Sequence, residues 1–409
     1  MHTEGAAYHR GMHQMTSAGV GRSQAKPTIL RNPRVLGLRC INCERDHPIQ
    51  DLPLGCPICA SQGTPSSLEV VYSEGPTSLF SASSGYRWGA WLPYTQGISL
   101  AEGNTPCLEL PALAQQLGIS RLTAKHEGMN PTGSHKDRMS AQAISRALEV
   151  GATSVVLASS GNAAVSAAAY CALAGMRCEV ATYGDMPEPY ARALRRFGAK
   201  RVVFERSMDR WEHVRRQVEH EGAFPLTNYS VPAVGSPVFG VEGYRAVALE
   251  LVAEGCLPDH ILIPTSRGDL LWGVYSGLRD LLTTGIIAHM PKLWAVEPFA
   301  RLSRVLAGAS LQSEFAGQTA QFSIAGSTVT LQQKLAVTRS GGGAVAVNDA
   351  DASRGVSALA SQGLWVELCA GAGVAALSTL RGLGQIAATD HAVLLLTAKG
   401  DRDTFDPIG

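Results

Sequence analysis

The stretch that decides the fold is "TSVVLASSGNAAVSAAAYCALAG", residues 153–175. It opens with β-branched and apolar residues, passes through Ser, Gly and Asn, and continues as an Ala-rich segment that ends at Gly175. The opening run predicts a buried strand, and the Ala-rich segment predicts a helix because alanine is the strongest helix former. A strand that leads directly into a helix is the repeating unit of parallel α/β folds.

The same unit recurs along the chain. Further strands are predicted at 177–183, 200–205, 260–265, 292–298, 343–348 and 392–397, each followed by a helix or a turn. This alternation predicts parallel sheets covered by helices on both faces. A chain of 409 residues exceeds one ordinary core, so the prediction is an α/β protein of two doubly wound domains with a small appendage. In such sheets, ligands bind where strands end and helices begin.

Composition excludes several functional classes. Hydrophobic residues make up 45% and charged residues 17%, which is typical of a globular protein. The net charge of +1 gives no general attraction to nucleic acid or to an anionic membrane. No apolar run reaches the ~18–20 residues of a membrane span, and the amino terminus lacks the apolar core of a signal peptide. We therefore expect a cytoplasmic protein with a small-molecule substrate.

Four cysteines near the amino terminus form two Cys-x-x-Cys pairs: Cys40 with Cys43, and Cys56 with Cys59. Two thiolates at this spacing bind Zn²⁺ from one tight turn, and two such turns complete a tetrahedral shell. Because the protein would supply all four ligands, such a zinc is structural. The alternative is a set of cysteines that only resembles a site, or one that has lost its metal.

Two predicted strands end in loops suited to anions. Ser159-Ser160-Gly161-Asn162 exposes backbone N–H groups at a helix start, a seat for a carboxylate, although the same string also serves as an ordinary helix cap. Ser266-Arg267-Gly268-Asp269 precedes another predicted helix and can hold a phosphate. The Asp269 carboxylate would repel phosphate, so a helix-capping role is the alternative for it. Thr397, at a third strand end, offers a hydroxyl to a buried ring nitrogen.

Lys136 lies in "NPTGSHKDRMS", residues 130–140, at a predicted helix start. Pro131 fixes φ and Gly133 permits unusual dihedral angles, so the turn is well defined. The helix dipole disfavours a cation there and would lower the pKa of the amine, which suits a lysine that forms a Schiff base. The alternative is an ordinary first-turn charge. Together with the three loops, this lysine meets the needs of pyridoxal 5′-phosphate (PLP).

Several segments between residues 102 and 403 resemble, in order, the threonine synthase branch of the tryptophan synthase β-like, fold type II PLP enzymes. They are "EGNTPCLEL" (102–110), "NPTGSHKDRMS" (130–140), "ASSGNAAVSAAAYCALAG" (158–175), "VEGYRAVALEL" (241–251), "VEP" (296–298) and "LLLTAKGDRD" (394–403). The cysteine element also resembles an amino-terminal zinc element of some members. The resemblance implies that PLP binds in the cleft between the two domains and that the enzyme is a homodimer.

The resemblance also implies roles for the site residues. Lys136 corresponds to the Schiff-base lysine that shuttles the α-proton, and Asn162 to the residue that bonds the 3-hydroxyl of the cofactor. Thr397 corresponds to the partner of the pyridine nitrogen, where a neutral hydroxyl leaves the ring unprotonated and favours prompt loss of a leaving group. The remaining matches are the substrate-carboxylate loop Ser159, Ser160 and Gly161, and the phosphate loop Ser266, Arg267, Gly268 and Asp269.

Departures from the family pattern surround this site. His135 replaces the usual aromatic residue and either packs or touches the leaving group of the substrate. Met139 replaces a small residue, "SRGD" lacks the glycines of the family, and Lys399 stands where threonine synthase often has histidine. Arg138, Arg267 and Lys399 are candidate cations for a phosphorylated substrate.

The predicted function is therefore PLP-dependent elimination or replacement at Cβ or Cγ of an amino acid with a phosphate-like leaving group, by a threonine synthase-like paralogue. Three alternatives stay open: a true threonine synthase acting on O-phosphohomoserine, an ammonia-releasing β-eliminase, and a non-catalytic zinc-knuckle binding protein. The predicted organisation is an arm (1–33), a zinc knuckle (34–75), a large domain (76–135 and 236–409) and a small domain (136–235).

Overall fold

The computed structural model describes residues 27–76, 78–79, 87–184 and 186–405. The strands are β1 (Leu30–Arg31), β2 (Val35–Cys40), β3 (Asp46–His47), β4 (Leu68–Tyr72), β5 (Tyr94–Gln96), β6 (Cys107–Glu109), β7 (Arg121–His126), β8 (Ser154–Ala158), β9 (Arg177–Tyr183), β10 (Lys200–Phe204), β11 (Phe224–Pro225), β12 (His260–Pro264), β13 (Lys292–Glu297), β14 (Gly343–Ala346) and β15 (His391–Leu396).

The helices are α1 (Pro57–Ser61), α2 (Pro111–Leu117), α3 (Lys136–Glu149), α4 (Asn162–Ala174), α5 (Glu188–Arg196), α6 (Asp209–Glu221), α7 (Val238–Val241), α8 (Arg245–Ala253), α9 (Asp269–Thr283), α10 (Leu302–Leu306), α11 (Leu331–Arg339), α12 (Asp349–Ala360) and α13 (Leu368–Gly382). Short 3₁₀ turns lie at Glu127–Met129, Glu242–Tyr244, Phe322–Ile324 and Gly400–Arg402.

A four-stranded parallel sheet has the order β10-β9-β8-β11. The strands predicted at 153–159, 177–183 and 200–205 are confirmed as β8, β9 and β10, and so are the helices that follow them. Helix α4 packs on α3, α5 and β9. Its alanines Ala164, Ala167, Ala168 and Ala169 lie in the hydrophobic core of this sheet. Alanine is suited to this position because its small side chain lets neighbouring helices and strands approach closely.

The larger sheet has six strands in the order β14-β13-β12-β15-β7-β6. All neighbours are parallel except β6, which runs antiparallel to β7. Strands β12 to β15 are confirmed predictions, whereas β6 and β7 were not predicted. Strand β7 was not predicted because Lys125 and His126 give its sequence a polar character. In the structure Lys125 is fully buried and forms ion pairs with Glu250 and Glu254.

The α/β fold class is thus confirmed, with one parallel and one mixed sheet. The strands of the four-stranded sheet fall between residues 154 and 225, within the predicted small domain. The domain boundaries themselves stay a prediction. Residues 1–26 of the predicted arm lie outside the described residues, while β1 pairs with β5.

An additional three-stranded antiparallel sheet, in the order β3-β2-β4, carries the four predicted zinc cysteines together with α1. Its own small core packs against Tyr94 and Phe239. Among the residues described, no helix is both long and apolar enough to cross a bilayer.

Candidate active site

The turn that leads to Lys136 is held by its own side chains. Lys136 is the first residue of α3, as predicted. The carboxylate of Asp137 accepts hydrogen bonds from the backbone N–H of Thr132 (2.6 Å) and from its hydroxyl (2.5 Å). Gly133 has a φ of +85°, in the left-handed region that favours glycine. The sequence "NPTGS" therefore fixes where the lysine enters the helix.

The same turn is fastened to the carboxyl end of β15. The backbone N–H of His135 donates to the carbonyl of Thr397 (3.0 Å), and that of Lys399 donates to the carbonyl of Gly133 (3.0 Å). The His135 ring contacts the carbonyl of Thr397 through Nδ1 (3.0 Å), so Nδ1 carries the proton and Nε2 is an acceptor. Lys136 and Thr397 therefore belong to one rigid unit, although 261 residues separate them in the chain.

These elements border a cavity of about 360 Å³. It lies where β8, β12 and β15 end and α3, α4 and α9 begin. Every PLP-site residue predicted from the sequence lines it: His135, Lys136, Ser159, Ser160, Gly161, Asn162, Ser266, Arg267, Gly268, Asp269 and Thr397.

The amine of Lys136 is in an unusual environment for a lysine. Burial lowers its pKa, while the negative charges of Asp269 and Glu367 act in the opposite direction. Its Nζ lies 5.8 Å from the centroid of the Tyr244 ring. From the sequence we expected the helix dipole to lower this pKa, and the structure adds burial as a cause that acts in the same direction. The result is the same: the neutral amine forms more readily than in water.

The loop from Ser159 to Asn162 joins β8 to α4. The Ser159 hydroxyl accepts a hydrogen bond from the N–H of Gly161 (3.3 Å). The Ser160 hydroxyl is buried and has no partner within the described part of the chain. A buried hydroxyl without a partner is costly unless a ligand completes it. A side chain at Gly161 would press on Phe322, 3.1 Å from its ideal Cβ, so the loop needs glycine to lie close to this wall of the cavity.

The loop from Ser266 to Asp269 joins β12 to α9. Its carbonyls bond to α11: Ser266 accepts from Gln333 (2.8 Å), and Arg267 accepts from Gln332 (3.1 Å). The N–H groups of Ser266, Arg267 and Gly268 donate to no other residue that the structure describes. Gly268 has a φ of +82°. Free N–H groups at a helix start form a cradle for phosphate.

The Asp269 side chain makes no capping hydrogen bond at the start of α9, where Gly268 is the N-cap residue, and its place in the phosphate loop stays a prediction. Its carboxylate accepts hydrogen bonds from the N–H (3.2 Å) and the hydroxyl (2.6 Å) of Ser236, and from Gln332 (2.6 Å). The capping interpretation is therefore wrong, because these side contacts occupy the carboxylate.

Glu367 is a site residue that the sequence argument missed. It precedes α13, is buried, and accepts hydrogen bonds from Thr397 (2.8 Å), Asn162 (3.0 Å) and Ser323 (3.3 Å). Burial raises the pKa of its carboxyl group. The hydroxyl of Thr397 is thus coupled to a carboxylate and is not an isolated neutral partner. A signal existed: Glu367 is the one charged residue in the apolar stretch 364–380, which indicates a buried carboxylate.

Two of the three cations proposed for the substrate lie elsewhere. Arg138 points away from the cavity into a buried network, where it bonds Glu127 (2.7 Å) and Glu250 (2.7 Å). Lys399 is exposed and does not line the cavity. Arg267 does line it, together with Arg210, which was not predicted.

The four predicted zinc cysteines converge in the amino-terminal sheet. Their sulfur atoms all lie within 4.8 Å of one another, and no disulfide joins them. The Sγ–Sγ distance is 3.5 Å between Cys40 and Cys59 and 3.8 Å between Cys43 and Cys56. Four thiols facing one point provide the donor set that structural zinc requires.

The residues of the cavity fit pyridoxal phosphate. They combine an amine of lowered pKa, a cradle of free N–H groups, and an orphaned buried hydroxyl at Ser160. A family model described as "Pyridoxal-phosphate dependent enzyme" matches residues 98–398. The chain belongs to this family.

The chain is similar to the threonine synthase of Methanocaldococcus jannaschii, with 28% identity over 391 aligned residues that cover 89% of this chain and 92% of the relative. The threonine synthase of Methanosarcina acetivorans is 27% identical, covering 88% of this chain and 90% of the relative. Among solved structures, a fungal L-serine ammonia-lyase from Rhizomucor miehei superimposes with a TM-score of 0.63, 23% identity, and coverage of 75% of this chain and 96% of that one. Maize serine racemase gives a TM-score of 0.63 at 19% identity, over 75% and 89%.

The protein is a threonine synthase-like, PLP-dependent lyase, and its reaction is of the elimination or replacement type. The predicted enzyme class and cofactor are confirmed. The alternative of a non-catalytic binding protein is set aside.

Proposed function

We propose that the enzyme removes or replaces an anionic, phosphate-like group at Cβ or Cγ of an amino acid. Pyridoxal phosphate supplies the electron sink that makes the α-proton of the substrate acidic. The remaining requirements fall to the residues of the chain: holding the cofactor, gripping the carboxylate of the substrate, and moving one proton.

Lys136 is the covalent holder of the cofactor and, once released, the base that takes the α-proton. Its lowered pKa supports both roles, because each needs the neutral amine. The free N–H groups of Ser266, Arg267 and Gly268 support a role in binding the cofactor phosphate.

We assign other cavity residues to orienting the cofactor and the substrate. Asn162 and Thr397, both bonded to Glu367, are proposed to contact the ring substituents and nitrogen of the cofactor. Ser159, Ser160 and Gly161 are proposed to bind the substrate carboxylate, and the unpartnered hydroxyl of Ser160 is the observation behind that assignment.

The observation that carries the proposal is the convergence of a low-pKa amine with two loops rich in unused donors in one cavity. The test incubates the PLP-loaded enzyme separately with O-phosphohomoserine, O-phosphoserine and serine, and measures released phosphate and ammonia. We expect phosphate from at least one phosphorylated substrate and a Lys136→Ala variant that releases none. Lys334→Ala removes an exposed lysine on α11 and serves as the matched control.

The products decide among the remaining alternatives. Threonine formed from O-phosphohomoserine identifies a true threonine synthase. Ammonia released from serine, without turnover of either phosphorylated substrate, identifies the β-eliminase and refutes the proposed leaving group.

We also propose that the four cysteines bind one structural Zn²⁺. Their mutual distances support it, and a metal would link β2 to α1 in a sheet whose core is small. Metal analysis should give about one zinc per chain. Cys43→Ser should lose the zinc, whereas Cys178→Ser, a buried cysteine outside the cluster, should retain it. Equal zinc content in both variants would contradict the assignment.

We also propose that the enzyme is a homodimer and that PLP binds in the cleft between the two domains. Sedimentation velocity of the PLP-loaded protein tests the first. Protection of the cavity loops from hydrogen exchange when substrate binds tests the second.

A further inference from the structure

Two guanidinium groups, those of Arg210 and Arg267, line the same cavity, and the charge of one acts on the other. Arg210 lies on α6, beside the four-stranded sheet, and Arg267 follows β12 of the six-stranded sheet. Both line the cavity. No ion pair joins either of them to an acidic residue within the described ranges, where most buried arginines, such as Arg138 and Arg245, have one.

Aromatic rings hold both side chains in position. The Arg267 guanidinium lies 4.9 Å from the Trp211 ring, and the Arg210 guanidinium lies 4.4 Å from the Tyr183 ring. Arg210 also donates to the carbonyl (3.0 Å) and hydroxyl (2.7 Å) of Ser207. These contacts reduce the freedom of the two groups before any ligand arrives, which lowers the entropy lost on binding.

Several donors of the pair stay unused. Arg267 contacts Thr328 only through Nε (3.3 Å), and its two terminal nitrogens donate to nothing else that the structure describes. The Nη1 of Arg210 is likewise free among these residues. Burial lowers the pKa of Arg210 to about 10, partly offset by Tyr183, with a further lowering by the charge of Arg267. Burial also lowers the pKa of Arg267, and the negative charge of Asp269 acts in the opposite direction. Neither guanidinium forms an ion pair within the described ranges, so an anion bound between them would gain from both charges.

We propose that Arg210 and Arg267 together bind the phosphate-ester group of a ligand in the cavity. This inference rests on the proposed function and names the group that the substrate presents there. A planar guanidinium matches phosphate oxygens in two-point contacts, and two of them balance a dianion. We assign this phosphate ester to the substrate, because the free N–H groups of residues 266–268 offer the cofactor phosphate a separate binding site.

A consequence follows from the location of the pair. Arg210 lies on α6 beside the four-stranded sheet, and Arg267 follows β12 of the six-stranded sheet. An anion between them would therefore join the two sides of the cavity. Trp211 lies on α6 against Arg267, so its fluorescence should report the arrival of the anion.

The experiment titrates inorganic phosphate into the PLP-loaded enzyme and follows tryptophan fluorescence and calorimetric heat. We expect saturable binding that weakens at least about 10-fold in Arg210→Gln and in Arg267→Gln, the loss typical of a charge-assisted hydrogen bond. The matched control is Arg215→Gln, at a partly exposed arginine of the same helix that lies outside the cavity lining, and this variant should bind phosphate as the wild type does. Trp211→Phe should remove the fluorescence change but keep the heat.

A second arm separates the two sources of phosphate ester. The apoprotein is titrated with pyridoxal phosphate and with pyridoxal, which lacks the phosphate. If the pair binds the substrate, both arginine variants retain the wild-type preference for pyridoxal phosphate. If the arginine pair binds the cofactor, the variants lose that preference and the PLP-loaded enzyme binds no phosphate. That result supports a phosphate-ester site at the two arginines and assigns it to the cofactor.

The inference is overturned if both variants fold normally by circular dichroism and bind phosphate and pyridoxal phosphate like the wild type. Its failure is distinct from that of the proposed function. If the two variants turn over a phosphorylated amino acid at wild-type KM, the arginine site is refuted and the proposed reaction stands. If phosphate binding depends on the two arginines but no substrate is turned over, the proposed reaction is refuted and the arginine site stands.

Discussion

Replacing Arg138 with methionine should destabilise the protein far more than an ordinary loss of an ion pair. Arg138 is 3% exposed and lies between Glu127 and Glu250, which are both fully buried. Methionine keeps most of the volume but removes the positive charge. Two buried carboxylates are then left with Lys125 as their nearest cation, which contacts only Glu250 of the two (2.9 Å).

The magnitude follows from the titration of Glu250. Burial alone would raise the pKa of Glu250, but Arg138, followed by Lys125, lowers it to about 2 from an ordinary value of 4.5. At about 1.4 kcal/mol per pKa unit, that difference corresponds to about 3 kcal/mol of stability at neutral pH. Removal of one partner from a buried ion pair typically costs about 3–5 kcal/mol. We therefore expect Arg138→Met to lose about 3–5 kcal/mol.

The assay is urea unfolding at pH 7, with Arg121→Met as the matched control. Arg121 pairs with Glu109 at 2.6 Å, but 43% and 53% of their side chains are exposed, so we expect a loss below about 1 kcal/mol. Adding Glu127→Gln to Arg138→Met should restore part of the stability, because it removes one uncompensated charge. Equal losses for Arg138→Met and Arg121→Met would refute the reasoning.

The pH dependence gives an independent check on the same network. A carboxyl group whose pKa is lowered by folding stabilises the protein above its unfolded pKa, and this contribution is lost as the pH falls through the folded value. For Glu250, that window runs from 4.5 down to about 2. The contribution should be present in the wild type and much smaller in Arg138→Met, where Lys125 alone offsets the burial of Glu250.

Three further predictions concern the cavity. Uptake of pyridoxal phosphate by the apoprotein, followed by absorbance, should accelerate as the pH rises through a Lys136 pKa below 10.5, and a midpoint at or above that value would contradict the burial argument. Burial raises the pKa of Glu367 above its ordinary value of 4.5, so its contribution to stability falls as the pH rises above 4.5 and towards the folded pKa. Glu367→Gln should therefore gain stability relative to the wild type as the pH rises above 4.5 in urea unfolding. Gly268→Ala should weaken cofactor binding about 10-fold, since its Cβ would lie 2.2 Å from Gln333 Cγ at a φ of +82°, whereas Gly341→Ala, with a φ of +72° in open space, should bind normally in the same titration.

Local patterns predicted the parts of the molecule that local chemistry determines. The strand, loop and helix at 153–175 carry their own signals of β-branching, glycine and alanine, and they appear in the structure where expected. The same holds for the turn before Lys136, where Pro131 and Gly133 restrict the backbone. The paired spacing of the cysteines likewise predicted that the four thiols lie together. In the structure the Sγ atoms of Cys40 and Cys59 are 3.5 Å apart.

Contacts between segments far apart in the chain could not be predicted from local sequence patterns. Arg138 was predicted as a cation for a phosphorylated substrate. It follows Lys136 by two residues, and a helix turns the two side chains by about 200°, so they face different surroundings. Glu367 and Arg210 reach the cavity from parts of the chain with no motif. Their roles depend on which helices meet at the sheet edges, and that is decided by tertiary packing.

The most direct test of the central claim is borohydride reduction of the protein loaded with pyridoxal phosphate, followed by peptide mass mapping. The account predicts one reduced pyridoxyl phosphate group per chain, attached to the Nζ of Lys136 and absent from a Lys136→Ala variant. A label on a different lysine, or no label in a protein saturated with the cofactor, would contradict it.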